Sequence, residues 1–287
     1  MKIAFLSTSD LEGFFVYDEL TLPHFAASGV EVDTVPWRKT INWNQYDAVI
    51  VRSTWDYQQA PEDFLTCLAQ IEASSAVLIN PYSLMAWNIK KTYLKDLDNQ
   101  GVAIVPTLWA TGIDKSQIDA AFEAFSTDTI IVKPVLSANA DDTFRLNRQA
   151  FIEQIDALTT LFHQRELMIQ PFLAAIVEEG EYSLFYFDNQ YSHAIVKRPK
   201  AGDFRVQEEH GGELAVYQPQ PDVLAMANRA LDAMPSASLY ARVDVVRTDG
   251  GWAIMELELI EPSLYFNLDE DAPKRFVDAF HQYIQKT

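Results

Sequence analysis

The sequence predicts an α/β plus α+β protein: an open α/β domain at the N-terminus, followed by compact α+β units. Three observations carry this expectation. Short apolar strands alternate with helical segments over the first ~80 residues, which implies a small open sheet. Beyond that point the strands lengthen and are joined by short turn-forming segments, the signature of antiparallel hairpins. Of 287 residues, 48% are hydrophobic, enough to bury a core of about two domains.

In chain order, residues 2–7 read as a strand and 18–28 as a helix interrupted by Pro23, with Gly29 as its stop before a strand at 30–35. Residues 47–52 read as a strand whose run from Ala48 to Val51 is continuously apolar, the pattern of a parallel strand buried on both faces. Pro61 opens a helix to residue 71 as a first-turn proline, and 77–79 is a short strand. Residues 82–100 read as one long amphipathic helix ending at Gly101, followed by a strand at 102–105. Strands at 129–133, 143–146 and 167–170 around a helix at 149–162 form a compact unit. Strands at 182–187 and 191–197 flank an Asp188-Asn189-Gln190 turn. A helix at 221–234, strands at 240–247 and 252–259, and a helix at 272–285 complete the chain. The expected domains are 1–80, a central region 81–171, and 172–287.

Charge narrows the function. The chain has 22 Lys plus Arg against 41 Asp plus Glu, a net charge of −19, which argues against nucleic acid as a partner. The longest apolar runs are far short of the ~20 residues needed to span a bilayer, and the N-terminus is too quickly polar for a signal peptide. No membrane partner is expected, and a cytoplasmic location is the default. One cysteine, Cys67, excludes an intrachain disulfide and reads as a buried thiol. His24, His163, His193 and His281 read as structural, while His210 is kept as a loop candidate.

The chemistry concentrates in residues 239–259. Side chains alternate along a strand, so Arg242 and Asp244 share one face, as do Glu256 and Glu258. The opposite face carries Val243, Val245, Met255, Leu257 and Leu259. A three-residue loop at 249–251 pairs Thr248 with Trp252, and therefore Asp244 with Glu256 and Arg242 with Glu258. Opposed carboxylates only ~5 Å apart repel. They need a cation, and oxygen ligands of this type suit Mg²⁺. The alternative is a solvated polar sheet face with an Arg242–Glu258 surface pair. A cation-rich stretch from Lys197 to Arg205, followed by a glycine-containing loop, fits a polyphosphate, or else ordinary solvated loop charge.

The order of these features resembles the ATP-grasp ligases, specifically the glutathione-synthetase-like branch and its cyclo-ligase type from cycloserine biosynthesis. The resemblance rests on Val51 to Tyr57, Lys91 to Leu94, Ile131 to Pro134, Gln170 to Phe172, Gly180 to Ser183, Lys197 to Gly212, Arg242 to Asp244 and Glu256 to Pro262. It implies an ATP-grasp fold in which an N-terminal α/β domain precedes two α+β subdomains clamping ATP. It further implies that Lys91 and Lys133 reach ATP phosphates, that Gln170, Pro171 and Phe172 line the adenine, and that Glu181 holds the ribose. Asp244, Glu256 and Glu258 match magnesium ligands, one or two ions, with Mn²⁺ as a substitute. Arg242 matches the arginine of phosphoryl transfer, and Lys197 and Arg205 match cations contacting phosphate or acceptor. Two departures stand out: the loop at 135–143 has no glycine, and Glu258 replaces the Asn of many relatives.

Arg52, Trp55, Asp56 and Tyr57 follow a strand at its carboxyl end, where open α/β sheets place ligands. Arg52 is expected to take a substrate carboxylate and Asp56 an ammonium, with Glu261 also on the substrate side. The implied enzyme is an ATP- and Mg²⁺-dependent ligase that activates a small amino-acid-like carboxylate as an acyl phosphate and forms an amide-type C–N bond, intermolecularly or by ring closure. The alternatives are a non-catalytic nucleotide-binding protein of the same fold and a small-molecule kinase. A homodimer is compatible with the sequence.

Overall fold

The computed structural model describes residues 1–138 and 140–286. The first unit is a parallel sheet. Strand β1 (Lys2–Ser7), helix α1 (Leu22–Ala27), strands β2 (Glu31–Pro36) and β3 (Ala48–Ser53), helix α2 (Pro61–Glu72) and strand β4 (Val77–Ile79) give the order β2-β1-β3-β4. All six residues of β3 are buried, as its unbroken apolar run requires. Pro23 does not interrupt a helix. A 3-10 turn (Asp18–Thr21) leads into α1, and Pro23 sits in the first helical turn, where its missing N–H costs nothing.

The expected long helix is two helices, α3 (Tyr82–Asn88) and α4 (Tyr93–Asn99). Between them the Lys91 backbone N–H donates to the Val135 carbonyl at 2.7 Å instead of to its own helix. The apolar period survives the break because Leu84, Leu94 and Leu97 join one core cluster. Residues 102–105 form only a bridge, Ile104 to Ile254, not a strand.

Strand β5 (Leu108–Thr111), helix α5 (Lys115–Ala124), strands β6 (Ile130–Pro134) and β7 (Phe144–Leu146), helix α6 (Arg148–Leu161) and strand β8 (Glu166–Pro171) build an antiparallel sheet ordered β5-β8-β6-β7. The sequence reading omitted β5 and α5. A capping box of Asp114 and Gln117 starts α5, and Ile118, Ala121 and Phe122 seal it onto the sheet.

Helix α7 (Ala174–Glu178), strands β9 (Glu181–Phe187), β10 (Gln190–Arg198) and β11 (Glu213–Val216), helix α8 (Pro221–Asp232), strands β12 (Tyr240–Thr248) and β13 (Gly251–Glu258) and helix α9 (Ala272–Ile284) complete the chain. Their sheet runs β11-β10-β9-β12-β13. The β9–β10 turn is the pair Asp188-Asn189, both left-handed, one residue shorter than expected. One sheet face packs α8, α3 and α4. The other is apolar at one end, where Phe185, Phe187 and Ile195 meet α9, and polar at the other.

Side chains from Asn80, α3 and α4 hold the β12 and β13 side of this sheet. Asn80 donates to the carbonyls of Tyr240 and Leu259 and accepts from the Leu239 N–H. Asn88 bonds Leu257 and Leu259, and the Tyr93 hydroxyl accepts from the Leu257 N–H at 2.8 Å. Among the described residues, no helix is long and apolar enough to cross a membrane.

Candidate active site

Three neighbouring ladders assemble the polar sheet end. Lys197 of β10 lies opposite Glu181 of β9, Ser183 opposite Asp244 of β12, and Asp244 opposite Glu256 of β13, with Arg242 opposite Glu258 in the next row. The pairings of Asp244 with Glu256 and of Arg242 with Glu258 are those the sequence predicts, but the turn is not. Thr248 pairs with Gly251, leaving a two-residue turn, and the register then shifts between Val245 and Asp244. That bulge leaves Met255 without a partner and restores the expected pairs. Met255 also leaves the apolar stripe. It packs with Val105, Val246 and Ala253, and its sulfur lies 3.9 Å from Lys133 Nζ.

The carboxylates are interleaved with cations. Lys197 Nζ lies 2.6 Å from Glu181 and 3.5 Å from Asp244. Arg242 bridges Asp244, at 3.0 Å, and Glu258. Glu256 faces Lys133 at 3.3 Å and Lys91 at 3.7 Å, and the Ser183 hydroxyl donates to Asp244. Burial pushes Asp244 and Glu256 up, yet Arg242 with Lys197, and Lys91 with Lys133, hold them below the usual carboxylate range. Glu258 goes the other way: burial, with Asp244 and Glu256 nearby, pushes it up to about 7 despite Arg242. Burial also raises Glu181. The cleft thus holds more anion than its cations offset. Among the described residues, no three acidic, imidazole or thiol groups already converge as a complete metal shell, because cations stand between them. Asp244, Glu256 and Glu258 supply hard oxygen donors on one sheet face, a donor set suitable for a divalent ion.

Ile131, Gln170, Pro171, Leu173, Ile176 and Leu257 line a second, mostly apolar wall of the same cleft. Gln170 is fixed by donating to the Thr107 hydroxyl at 2.9 Å. Phe172 does not line the cleft. Its ring lies under the Arg145 guanidinium, 3.8 Å away, and Leu173 takes the wall position. The α3–α4 break is what brings Lys91 into the cleft, where its Nζ also donates to the Ser137 carbonyl at 2.8 Å. In the glycine-free loop after Lys133, Ala140 and Asp142 adopt left-handed backbone with φ of 58° and 50°, and Asn139 lies outside the described residues. Arg205 reaches the cleft held by Asp203 at 2.8 Å. His210 closes the short turn Glu208–His210 beside it.

On the substrate side, Trp55, Tyr57 and Glu261 line the cleft. Arg52 and Asp56 do not. Arg52 is 1% exposed, ion-paired to Asp18 at 2.8 Å and donating to the Pro262 carbonyl, so its expected grip on a substrate is corrected to a structural role. Asp56 turns away to accept from Trp37 Nε1 at 2.6 Å and from Arg38. Both readings assumed that residues at a strand end face the ligand, whereas distant acidic and basic partners claim these two. Phe14, Ser183 and Tyr265 are site residues that the sequence reading missed. The alternation of β9 signals Ser183, but nothing local signals Phe14 or Tyr265.

Residues 90–264 match the family described as the RimK-like ATP-grasp domain. The chain belongs to the ATP-grasp family. Residues 3–80 of this ATP-grasp protein match the family described as the D-cycloserine synthetase DcsG, N-terminal domain. It is 28% identical over 273 residues to the cycloserine biosynthesis protein DcsG of Streptomyces lavendulae, covering 90% of each chain. A crystal structure of D-cycloserine synthetase DcsG superposes with a TM-score of 0.85 at 25% identity over 99% of both chains. A glutathione synthetase of Prochlorococcus marinus (strain MIT 9313) is 29% identical over 206 residues, 69% of this chain and 62% of that one. The ATP-grasp ligase PsnB, complexed with a minimal precursor, Mg and ADP, shares the fold with a TM-score of 0.66 at 15% identity, covering 98% of this chain and 97% of that one. The protein is therefore an ATP-dependent ligase that forms C–N bonds.

Proposed function

We propose that this ligase activates a small amino-acid-like carboxylate as an acyl phosphate and transfers the acyl group to an amine. In the first step a carboxylate oxygen attacks the γ-phosphorus of ATP and the bond to ADP breaks. In the second, an amine nitrogen attacks the acyl carbon, phosphate leaves and the nitrogen loses a proton. No protein nucleophile is needed, so catalysis rests on position and charge.

The observation that carries the reading is the juxtaposition of Asp244, Glu256 and Glu258 with Lys91, Lys133, Lys197 and Arg242 in one cleft. Lys91, Lys133 and Lys197 offer charge to the phosphates, and Arg242 to the transferring group. The apolar wall around Pro171 accepts the base, with Glu181 in reach of ribose hydroxyls once Lys197 turns to phosphate. Asp244, Glu256 and Glu258 would hold one or two Mg²⁺ ions, or Mn²⁺ in their place, and such an ion neutralises phosphate charge. The relative named as a cycloserine synthetase supports an amino-acid-like substrate and ring closure as the form of the ligation. The −19 balance keeps nucleic acid and anionic membrane surfaces outside the partner set.

The test is incubation with ATP, Mg²⁺ and pooled amino acids and amino-acid derivatives, following phosphate release and the mass of the product. A dehydrated conjugate or ring supports the ligase reading. A phosphorylated product marks a kinase, and the absence of stimulated release from every pool sinks the proposed chemistry.

A further inference from the structure

The geometry points to Glu261, walled by Phe14, Trp55 and Tyr57, as the seat of a substrate ammonium group that selects amine-bearing carboxylates over their hydroxyl analogues. This rests on the ligase reading above and names the group by which the substrate is recognised.

All four residues line the same cleft. The Trp55 ring is fixed by its Nε1–H, which donates to the Glu261 carbonyl at 2.9 Å, and it packs on Phe14 at a centroid distance of 5.1 Å. Tyr57 lines the cleft beside Glu261, and its ring is held by stacking on Phe64 at 4.8 Å. Charge and burial together single out this carboxyl. Glu181, Asp244, Glu256 and Glu258 each have a lysine or arginine within ion-pair distance, whereas among the described residues Glu261 has none, and Glu209, the other cleft carboxyl without such a pair, is exposed. Lys91 is occupied by Glu256 and the Ser137 carbonyl. Burial, with Glu258 nearby, pushes Glu261 up to about 8, as expected of a carboxyl that lacks a counterion. An ammonium would supply that charge, and aromatic faces attract the same cation.

The probes are pooled D- and L-α-amino acids and the matching pools of α-hydroxy acids, in which a hydroxyl replaces the ammonium. Two readouts are taken, the melting temperature of the ADP–Mg²⁺-loaded protein and phosphate release from ATP. The wild type should be stabilised and stimulated by amino acids, with at least a ~100-fold preference in kcat/KM over hydroxy acids. Glu261→Gln should keep the melting shift given by ADP but raise the amino-acid KM at least ~10-fold and erase the preference. Tyr57→Phe should weaken the preference in the same direction. Equal use of both pools, an undiminished preference in Glu261→Gln, loss confined to kcat, or no melting shift from amino acids would each overturn the inference. A Glu261-dependent melting shift without stimulated phosphate release would leave it standing while the ligase chemistry falls.

Discussion

Asp244 lies directly opposite Glu256 because Met255, between two regular stretches of β13, has no partner across the ladder. The turn at Asp249-Gly250 is one residue too short for that pairing, and the bulge makes up the difference beside the cleft. Sheet register and site geometry are therefore the same fact in this hairpin.

Glu256→Gln removes a charge at nearly constant volume from the point where Lys91 and Lys133 converge. Turnover should fall by about 10²–10³, with little change in melting temperature. Steady-state phosphate release and calorimetry on the same sample check this, and a variant with wild-type turnover would refute the role of Glu256.

Arg52 holds Asp18 and the Pro262 carbonyl from inside the protein. Arg52→Met breaks a buried pair and should cost about 3–5 kcal/mol, read as a lower urea midpoint. The KM for the carboxylate substrate should not change in the folded fraction, and a selective rise in KM would return Arg52 to the substrate.

A Cβ on Gly212 would lie 2.1 Å from the Val206 carbonyl oxygen, inside the turn closed by the Gly212 N–H donating to Gln207. Gly212→Ala should displace the loop bearing Arg205 and Gln207. Catalytic efficiency should drop by about 10- to 100-fold with an almost unchanged melting temperature, because the core sheets are untouched.

His193 is stacked on Phe185 at 4.3 Å and bonded to the Leu264 carbonyl and the Ser192 hydroxyl, an arrangement that fits the neutral Nε2–H tautomer. Burial lowers it from 6.5 to about 4. The unfolded chain therefore binds the extra proton first. The contribution is complete above pH ~6.5 and is lost as pH falls towards ~4, on the order of 3 kcal/mol in all. Urea titrations at pH 7.5 and 5 should show this slope, and His193→Gln should flatten it.

How much of this was legible depends on how local the cause is. Strands β3, β12 and β13 follow from their own residues, apolar on both faces or alternating, but the pairing of Arg242 with Glu258, expected from alternation plus a three-residue turn, is reached through a two-residue turn and the bulge at Met255. The polar clustering of Lys197, Glu181 and Asp244 needs ladders that only the folded sheet specifies, although each residue could be named in advance. Lys91 lies in the cleft but not in the expected long helix: its N–H donates to the carbonyl of Val135, a residue no local pattern points to. Arg52 failed for the same reason, since Asp18 lies 34 positions away. Strand β5 and helix α5 were missed although the Asp114/Gln117 cap was there to be read.

The side chains of Asn88 and Tyr93 that occupy the outer backbone groups of Leu257 and Leu259 do more than fasten two units together. An open strand edge is a template for another polypeptide, and here the edge beside the carboxylates is already spoken for by the chain itself. The sheet cannot grow in that direction, so an extended peptide cannot enter the cleft by adding a strand to β13.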